Sequence, residues 1–480
     1  MKTGPDYRRP DTGIAIPDAY QHAPSKKHIS IPDDPWWEVF NNTELNQIVE
    51  AVLRNNLDIK KATAVILEVR ALFARAGAGR FPEIGIQGQA QRKRQTINTV
   101  FPGPQGQIYR QSRKTTDSHI LSMPASFELD LWGRLARGEE AARADLLQAE
   151  ENRRTIAQTV VAETISLYMQ AVSLERRIKI NKERIEISGR ILALTEYRYR
   201  HGLSTALNVK NERQALDREK SDLPALTLNL GITMQKLTVL LGYYPDAQPL
   251  GSSRKDYINN IAPVPSGLPS GLLLQRPDIR AAEAKLKALN ARIGEAMANR
   301  FPRITLTGNF GYSNEALHML LHSKSALWNM ALGLVQPVFD AGKLKSGQRA
   351  AEARYQKGVT DYAGIVLNAF FEVESTLLTR REQMDRRNRL IKILSEAQSI
   401  QKNKMIRYER GLKDYMEVLK ARQATILAEE SLEMINLSIL QNRIALHRVM
   451  GGGWGEPLSQ PEDEEAGFFD FMPFFPNYNK

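Results

Sequence analysis

Two carboxylates on one strand are the first residues that could do chemistry. Glu128 and Asp130 lie two apart in Phe127-Glu128-Leu129-Asp130-Leu131-Trp132. Side chains two apart in a β-strand share a face, and paired acids suit general acid–base work. Nothing in the chain joins them, because no nucleophile with a base, no phosphate-cradling loop and no metal-ligand cluster accompanies the pair. Cysteine is absent, which excludes disulfides and thiolate metal sites. The seven histidines are scattered without ligand spacing. The expectation is a chain that is no enzyme and carries no cofactor or metal. Its net charge of +12 belongs to solvated helix faces, since no readout motif for nucleic acid stands beside a basic cluster.

The chain is written twice. Arg80-Phe81-Pro82-Glu83-Ile84 returns 220 positions later as Arg300-Phe301-Pro302-Arg303-Ile304, and Asn56-Leu57-Asp58-Ile59 returns as Arg276-Pro277-Asp278-Ile279. Further on the offset is 209: Tyr199-Arg200-His201-Gly202-Leu203 matches Tyr408-Glu409-Arg410-Gly411-Leu412, and Leu240-Leu241-Gly242 matches Val449-Met450-Gly451. A symmetric tube uses such copies, because each supplies an equivalent stave.

After Pro82 the period becomes two. Ile84, Ile86, Gly88 and Ala90 take one face, and Glu83, Gln87, Gln89 and Gln91 the other. The second copy keeps this parity with Ile304, Leu306, Gly308, Phe310 and Tyr312. Return strands carry Leu121, Met123, Ala125, Phe127, Leu129 and Leu131, and Ala326, Trp328, Met330, Leu332 and Leu334. Each copy thus reads as one hairpin of roughly 10–15-residue strands, turning at Pro102-Gly103-Pro104 and near Ser313-Asn314. No run of 18 apolar residues exists to make a membrane helix, but alternating strands can hide a membrane face. Four strands cannot close a barrel, which needs about eight. Other copies must complete it, and three chains would give twelve strands.

Proline is missing from Gly133 to Arg200 and from Gly342 to Arg410. Each stretch predicts a helix of roughly 100 Å. Sevenfold series (Ile178, Ile185, Leu192, Tyr199; Ile180, Ile187, Leu194; Phe370, Leu377, Met384, Ile391, Met405) predict coiled-coil packing, and two series on one helix predict two neighbours. Return helices are expected over about 205–241 and 415–450, with Pro224 breaking or kinking the first. The expected order is an extended arm (1–43), short helices (44–82), a hairpin (83–132), a helical hairpin (133–245), a connector (246–274), a helix (275–302), a hairpin (303–340), a helical hairpin (341–453) and a tail (454–480).

Gly4-Pro5-Asp6-Tyr7, Trp36-Trp37, Phe127-Glu128-Leu129-Asp130-Leu131-Trp132-Gly133-Arg134, Gln275-Arg276-Pro277-Asp278-Ile279-Arg280, Asn299-Arg300-Phe301-Pro302 and the two Gly-Leu turns carry a resemblance. The chain resembles the TolC/OprM-type outer-membrane efflux factors, and their lipoprotein branch in particular, from residue 1 to about 454. The resemblance implies a mainly α protein with a β-barrel portion: a homotrimer whose two repeats per chain build a 12-stranded barrel and a 12-helix tunnel. It implies a passive exit duct of a tripartite drug pump in the outer membrane of a Gram-negative bacterium, reaching into the periplasm. The implied partners are a periplasmic adaptor and an inner-membrane transporter, with no nucleic acid. Met1 stands where the branch has its lipidated cysteine, which implies an anchored native form.

The same resemblance places a periplasmic gate at the helix-turn-helix tips. Tyr408, Lys413 and Glu417 fall on a network's tyrosine, its basic residue and an acidic ring position; Asn208 and Lys420 fall where acids are frequent, and Met416 at an apolar constriction. Asn208 and Lys420 depart from a strongly acidic iris, and Glu417 is expected to pair with Lys420. Lys413 and Asp414 read most simply as solvated surface. Gly202, Leu203, Gly411 and Leu412 are the implied contacts for adaptor and pump. The rival reading, from the coiled-coil pattern alone, is a structural, adaptor or adhesin-like envelope protein. It leaves the alternating strands unexplained.

Overall fold

The computed structural model describes residues 2–11, 13, 20–21, 35–103, 106–246 and 276–451. Met1, most of the arm, nearly all of the connector and the tail lie outside the described residues. The chain divides into two compact units. One comprises Met1–Gly13, Ala64–Glu150 and Ala281–Ala363, and the other Ile14–Thr63, Glu151–Arg280 and Gly364–Lys480.

The first unit holds the strands β1 (Glu83–Ile84), β2 (Gln87–Gly103), β3 (Gly106–Leu129), β4 (Arg303–Asn314) and β5 (Ala326–Val335). β1 and β2 pair with β3 in one register, Ile84 opposite Ala125 and Gln87 opposite Ser122. The gap between them faces Pro124, whose nitrogen cannot donate. Gly85 N still donates to Pro124 O at 3.0 Å. β3 then pairs with β4, and β4 with β5, all antiparallel. The register gathers the alternating residues into apolar rows, such as Ile84, Ala125, Gly308 and Met330, and Met123, Phe310 and Trp328. Trp328 is 77% exposed and Met330 70% exposed on this bare face. Among the described residues the far edges of β2 and β5 have no strand partner.

Two expectations change here. In the first hairpin the strands are 17 and 24 residues long, beyond the expected span. Alternation fades after Ala90, so a pattern-based reading stops where hydrogen bonding continues. In the second, the strands of 12 and 10 residues are joined by a longer tip that holds two 3-10 turns, at Leu317–Met319 and Ser323–Ser325.

The arm motif docks in this unit. Arg137, 1% exposed, donates to Thr3 O at 3.0 Å and to Asp6 at 2.9 Å. Its carboxylate neighbour Glu140 accepts at 3.0 Å. A Cβ at Gly294 would sit 2.8 Å from Thr3 O, so only glycine admits the arm there. Glu128 is held bidentate by Arg134, both bonds at 2.8 Å, and Asp130 accepts from Leu135 N and Ala136 N at the start of a helix. The suspected acid pair is therefore a strand-to-helix joint.

The helices are α1 (Thr43–Asn55), α2 (Leu57–Ala78), α3 (Arg134–Arg200), α4 (Ala206–Leu240), α5 (Pro277–Ala298), α6 (Lys343–Glu409) and α7 (Tyr415–Val449). Both long helices have 67 residues and both return helices 35. Pro224 lies inside α4 without ending it. It and Lys220, whose carbonyl loses its usual donor, are both exposed.

In the second unit the order of contact is α4, α3, α7, α6. Asn181 of α3 reaches Glu219 O of α4 at 3.3 Å, and Arg213 of α4 pairs with Glu196 of α3 at 2.8 Å. Ile187 and Ile191 of α3 pack with Leu419 and Ile426 of α7. Arg422 and Glu183, and Arg184 and Glu430, join the same two helices. Gln383 of α6 meets Ser438 of α7 at 2.7 Å. α3 is thus flanked on both sides: the Ile180, Ile187 and Leu194 series faces α7, and the contacts to α4 come from Asn181 and Glu196. α6 meets α7, α4 meets α3 and touches α7 through Glu219 and Gln423, and among the described residues no hydrogen bond or ion pair links α4 to α6. Trp36, Trp37, Phe40 and Leu45 close the core against Val161, Ile165, Tyr168 and Ile444.

The repeat is visible in its joints. Asn56 Nδ2 donates to Leu240 O at 3.0 Å, at the end of α4. Its counterpart Arg276 donates to Val449 O at 3.0 Å, at the end of α7.

Candidate functional site

Each helical tip is built by a glycine in the left-handed region, Gly202 at φ 74° and Gly411 at φ 70°. Leu203 N bonds Arg198 O at 2.8 Å and Gly202 N bonds Tyr199 O at 3.0 Å; Leu412 N to Arg407 O and Gly411 N to Tyr408 O repeat this at 2.9 and 2.8 Å. These six-to-one and five-to-two bonds close the last turn and satisfy its carbonyls. The return helices start on capping side chains. Thr205 accepts from Asn208 N at 3.3 Å and Asp414 from Met416 N at 2.9 Å. Leu203 is 76% exposed and Leu412 68% exposed, so the leucines after the glycines point into solvent.

The second tip carries the charge network. Glu417 accepts from Lys404 of α6 and from Lys413 at 3.2 Å. The hydrogen bond from Lys404, then that from Lys413, holds the Glu417 carboxyl below the usual carboxylate range. Lys420, the expected partner, is exposed and has no ion-pair partner among the described residues. Three residues along a helix place it beside Glu417, but Lys404 comes from the neighbouring helix and takes the carboxylate first. Asp414 is more than solvated surface, because it caps α7 and pairs with Arg198 of the first copy. Lys413 likewise has a partner. Tyr408 lies against Tyr415, ring centroids 5.0 Å apart, and is 40% exposed. Met416 leans on the Ile187–Ile426 cluster. Among the described residues Asn208 bonds within its own turn, its side chain to Ser204 Oγ at 3.3 Å.

Sequence reasoning missed Lys404, Arg198 and a buried polar layer above the tips. There Glu219, 7% exposed, accepts from Ser188 at 2.5 Å and Gln423 at 3.1 Å. The signal was the heptad Asn181, Ser188, Thr195 on α3, polar yet buried throughout.

A family model described as outer membrane efflux protein matches residues 48–243 and 268–452. The chain belongs to the outer membrane efflux protein family. It is 29% identical over 452 residues to the pyoverdine export outer membrane protein OpmQ of Pseudomonas putida, covering 93% of each chain. It is also 29% identical over 458 residues to the cation efflux system protein CusC of Escherichia coli, covering 94% of this chain and 95% of that one. The solved structure of the outer-membrane channel OprN matches with a TM-score of 0.82 at 27% identity, covering 94% of this chain and 99% of that one. The chain is an efflux channel of the outer membrane, as the family resemblance implied, and the adaptor or adhesin-like reading is set aside.

Proposed function

We propose that this efflux family member is the exit duct of a tripartite pump, working as a homotrimer with a periplasmic adaptor and an inner-membrane transporter. The observation that carries the trimer is the unfinished pair of surfaces: a five-stranded sheet with two edges unpaired among the described residues, and a helix row whose ends α4 and α6 lack outer neighbours there. Unpaired strand edges are forbidden in hydrocarbon, so further copies must pair with them. Residues 83–132 and 303–340 form the membrane portion, and 133–245 and 341–453 the tunnel. The duct is a passive conduit, and its Glu128 and Asp130 are engaged in structure.

The gate lies at the tips. Tyr408, Lys413, Met416, Glu417, Lys420 and Asn208 face the constriction, and Gly202, Leu203, Gly411 and Leu412 meet the partners. The Glu417 clasp on Lys404 and Lys413 supports this reading, since it ties α7 to α6 beside the turn. Opening splays the tips and breaks the clasp. Light scattering in detergent should give about 160 kDa of protein, three times the 54.2 kDa chain, and a monomer would overturn the duct. In planar bilayers Tyr408→Phe with Lys413→Ser should raise single-channel conductance, and unchanged conductance would remove these two residues from the gate.

A further inference from the structure

The first hairpin continues past its apolar rows as a basic ribbon. β4 ends at Asn314, opposite His119, so beyond the Ala90–His119 pair β2 and β3 run without a third strand. On the face that carries Ile84, Leu121, Met123 and Trp328, the next pairs are Arg92–Asp117, Arg94–Thr115 and Thr96–Arg113. Arg92 is occupied, its fork set on Asp117 at 2.6 and 2.7 Å. Arg94 and Arg113 are exposed and have no ion-pair partner among the described residues. They are diagonal cross-strand neighbours, roughly 7–8 Å apart at their backbones. Two like charges at that spacing repel, and an anion between them removes the repulsion.

Height places the pair. The ten steps from Leu129 to His119 cover roughly 34 Å of strand, or about 25 Å of height at the tilt of membrane strands, which matches the apolar band of outer-membrane barrels. Arg94 lies four residues beyond Ala90, roughly 10 Å higher, which is the level of headgroups. The tip of the second hairpin offers no counterpart, since its segment 315–325 carries one lysine and exposes Leu317 and Leu321. A guanidinium binds phosphate through paired N–H donors, and both arginines face outward at one level.

We infer that Arg94 and Arg113 form a binding site for the phosphate groups of outer-leaflet lipid headgroups, pinning the first hairpin at the membrane surface. This rests on the outward orientation of the apolar face in the proposed trimer. The test is native mass spectrometry of the full-length trimer in detergent, titrated with diphosphorylated lipid A. Arg94→Gln/Arg113→Gln should bind it roughly tenfold more weakly or worse. Arg94→Lys/Arg113→Lys should bind with affinity between the parent's and the glutamine variant's, because the charge remains and the paired donors do not. Lys60→Gln/Lys61→Gln, an equal charge loss on exposed positions of α2, should behave as the parent. Equal affinity in the glutamine variant would overturn the inference, as would equal binding of dephosphorylated lipid A. Displacement by inorganic phosphate at matched concentration would assign the site to free anion and overturn the lipid. Mass and conductance on the same samples separate this outcome from failure of the duct itself, because a conducting trimer with unchanged lipid binding sinks only the inference.

Discussion

The two copies share lengths, turns and joints, yet they are buried differently. Ile191 of α3 and Ile426 of α7 are 1% and 0% exposed. In α6, the twin of α3, Ile400 stands 209 positions after Ile191 and is 52% exposed, and in α4 Leu228 is 62% exposed while its counterpart Leu437 of α7 is partly buried. Equivalent sequence positions therefore become interior in one copy and surface in the other. Position in the row decides this: α3 and α7 stand inside it, α4 and α6 at its ends. A repeat that leaves matching ends uncovered is suited to meeting further copies of itself.

The largest expected effect lies at the joints. Arg276 is 7% exposed and its guanidinium serves Val449 O, Asp278 and Glu372, whereas Asn56 serves Leu240 O and caps α2. Arg276→Ala should cost about 3 kcal/mol, because it strands the buried Val449 carbonyl and leaves two part-buried carboxylates unpaired. Asn56→Ala should cost about 1–2 kcal/mol. Thermal melting followed by circular dichroism ranks them, and equal shifts would break the comparison.

Next are the seams. Ile426→Ala should lower stability by about 2–5 kcal/mol, as burial on α7 demands. Ile391→Glu on α6 should leave helix content intact while the protein runs below trimer mass in detergent. A trimer that forms normally would mean that the α6 seam is not an interface.

A smaller effect distinguishes His447 from its twin position Thr238. Burial first, then the Arg443 and Arg380 guanidiniums, pushes the His447 pKa down to about 3. Its ring stacks on Trp36 at 5.0 Å. The unfolded chain binds the proton near pH 6.5 and the folded chain does not, so stability present above that pH is lost as pH falls toward 3. The slope is about 1.4 kcal/mol per pH unit. His447→Gln should flatten the acid loss between these limits, and Thr238→Val should not change it. An unchanged pH profile in the glutamine variant would show that His447 charges without penalty.

The smallest change is at the tips. Glu417→Gln should raise conductance at neutral pH, and acid should do the same in the parent as the depressed carboxylate protonates. Asn208→Ala, at the matching site of the first copy, should raise conductance less than Glu417→Gln, because Asn208 ties no second helix. Equal responses would mean that both tips hold the gate.

Much of this architecture was legible from local pattern. Period two along the hairpin strands, sevenfold spacing on α3, and the glycines at 202 and 411 each report what the backbone does within a few residues. The ribbon beyond Ala90 was not legible, because its pairing rests on hydrogen bonds that polar residues make as readily as apolar ones. At the tips the turns were legible and the partners were not. Glu417 and Lys420 are close in sequence, while Lys404 reaches Glu417 from another helix.

By itself the sequence determined the repeat, the alternation and the turns, since these follow from side-chain period and backbone conformation along the chain. Only the tertiary structure decided which helix of each copy is interior, which carboxylates are structural and which lysines hold Glu417. Those outcomes depend on which helices become neighbours, and that is set by packing between segments hundreds of residues apart.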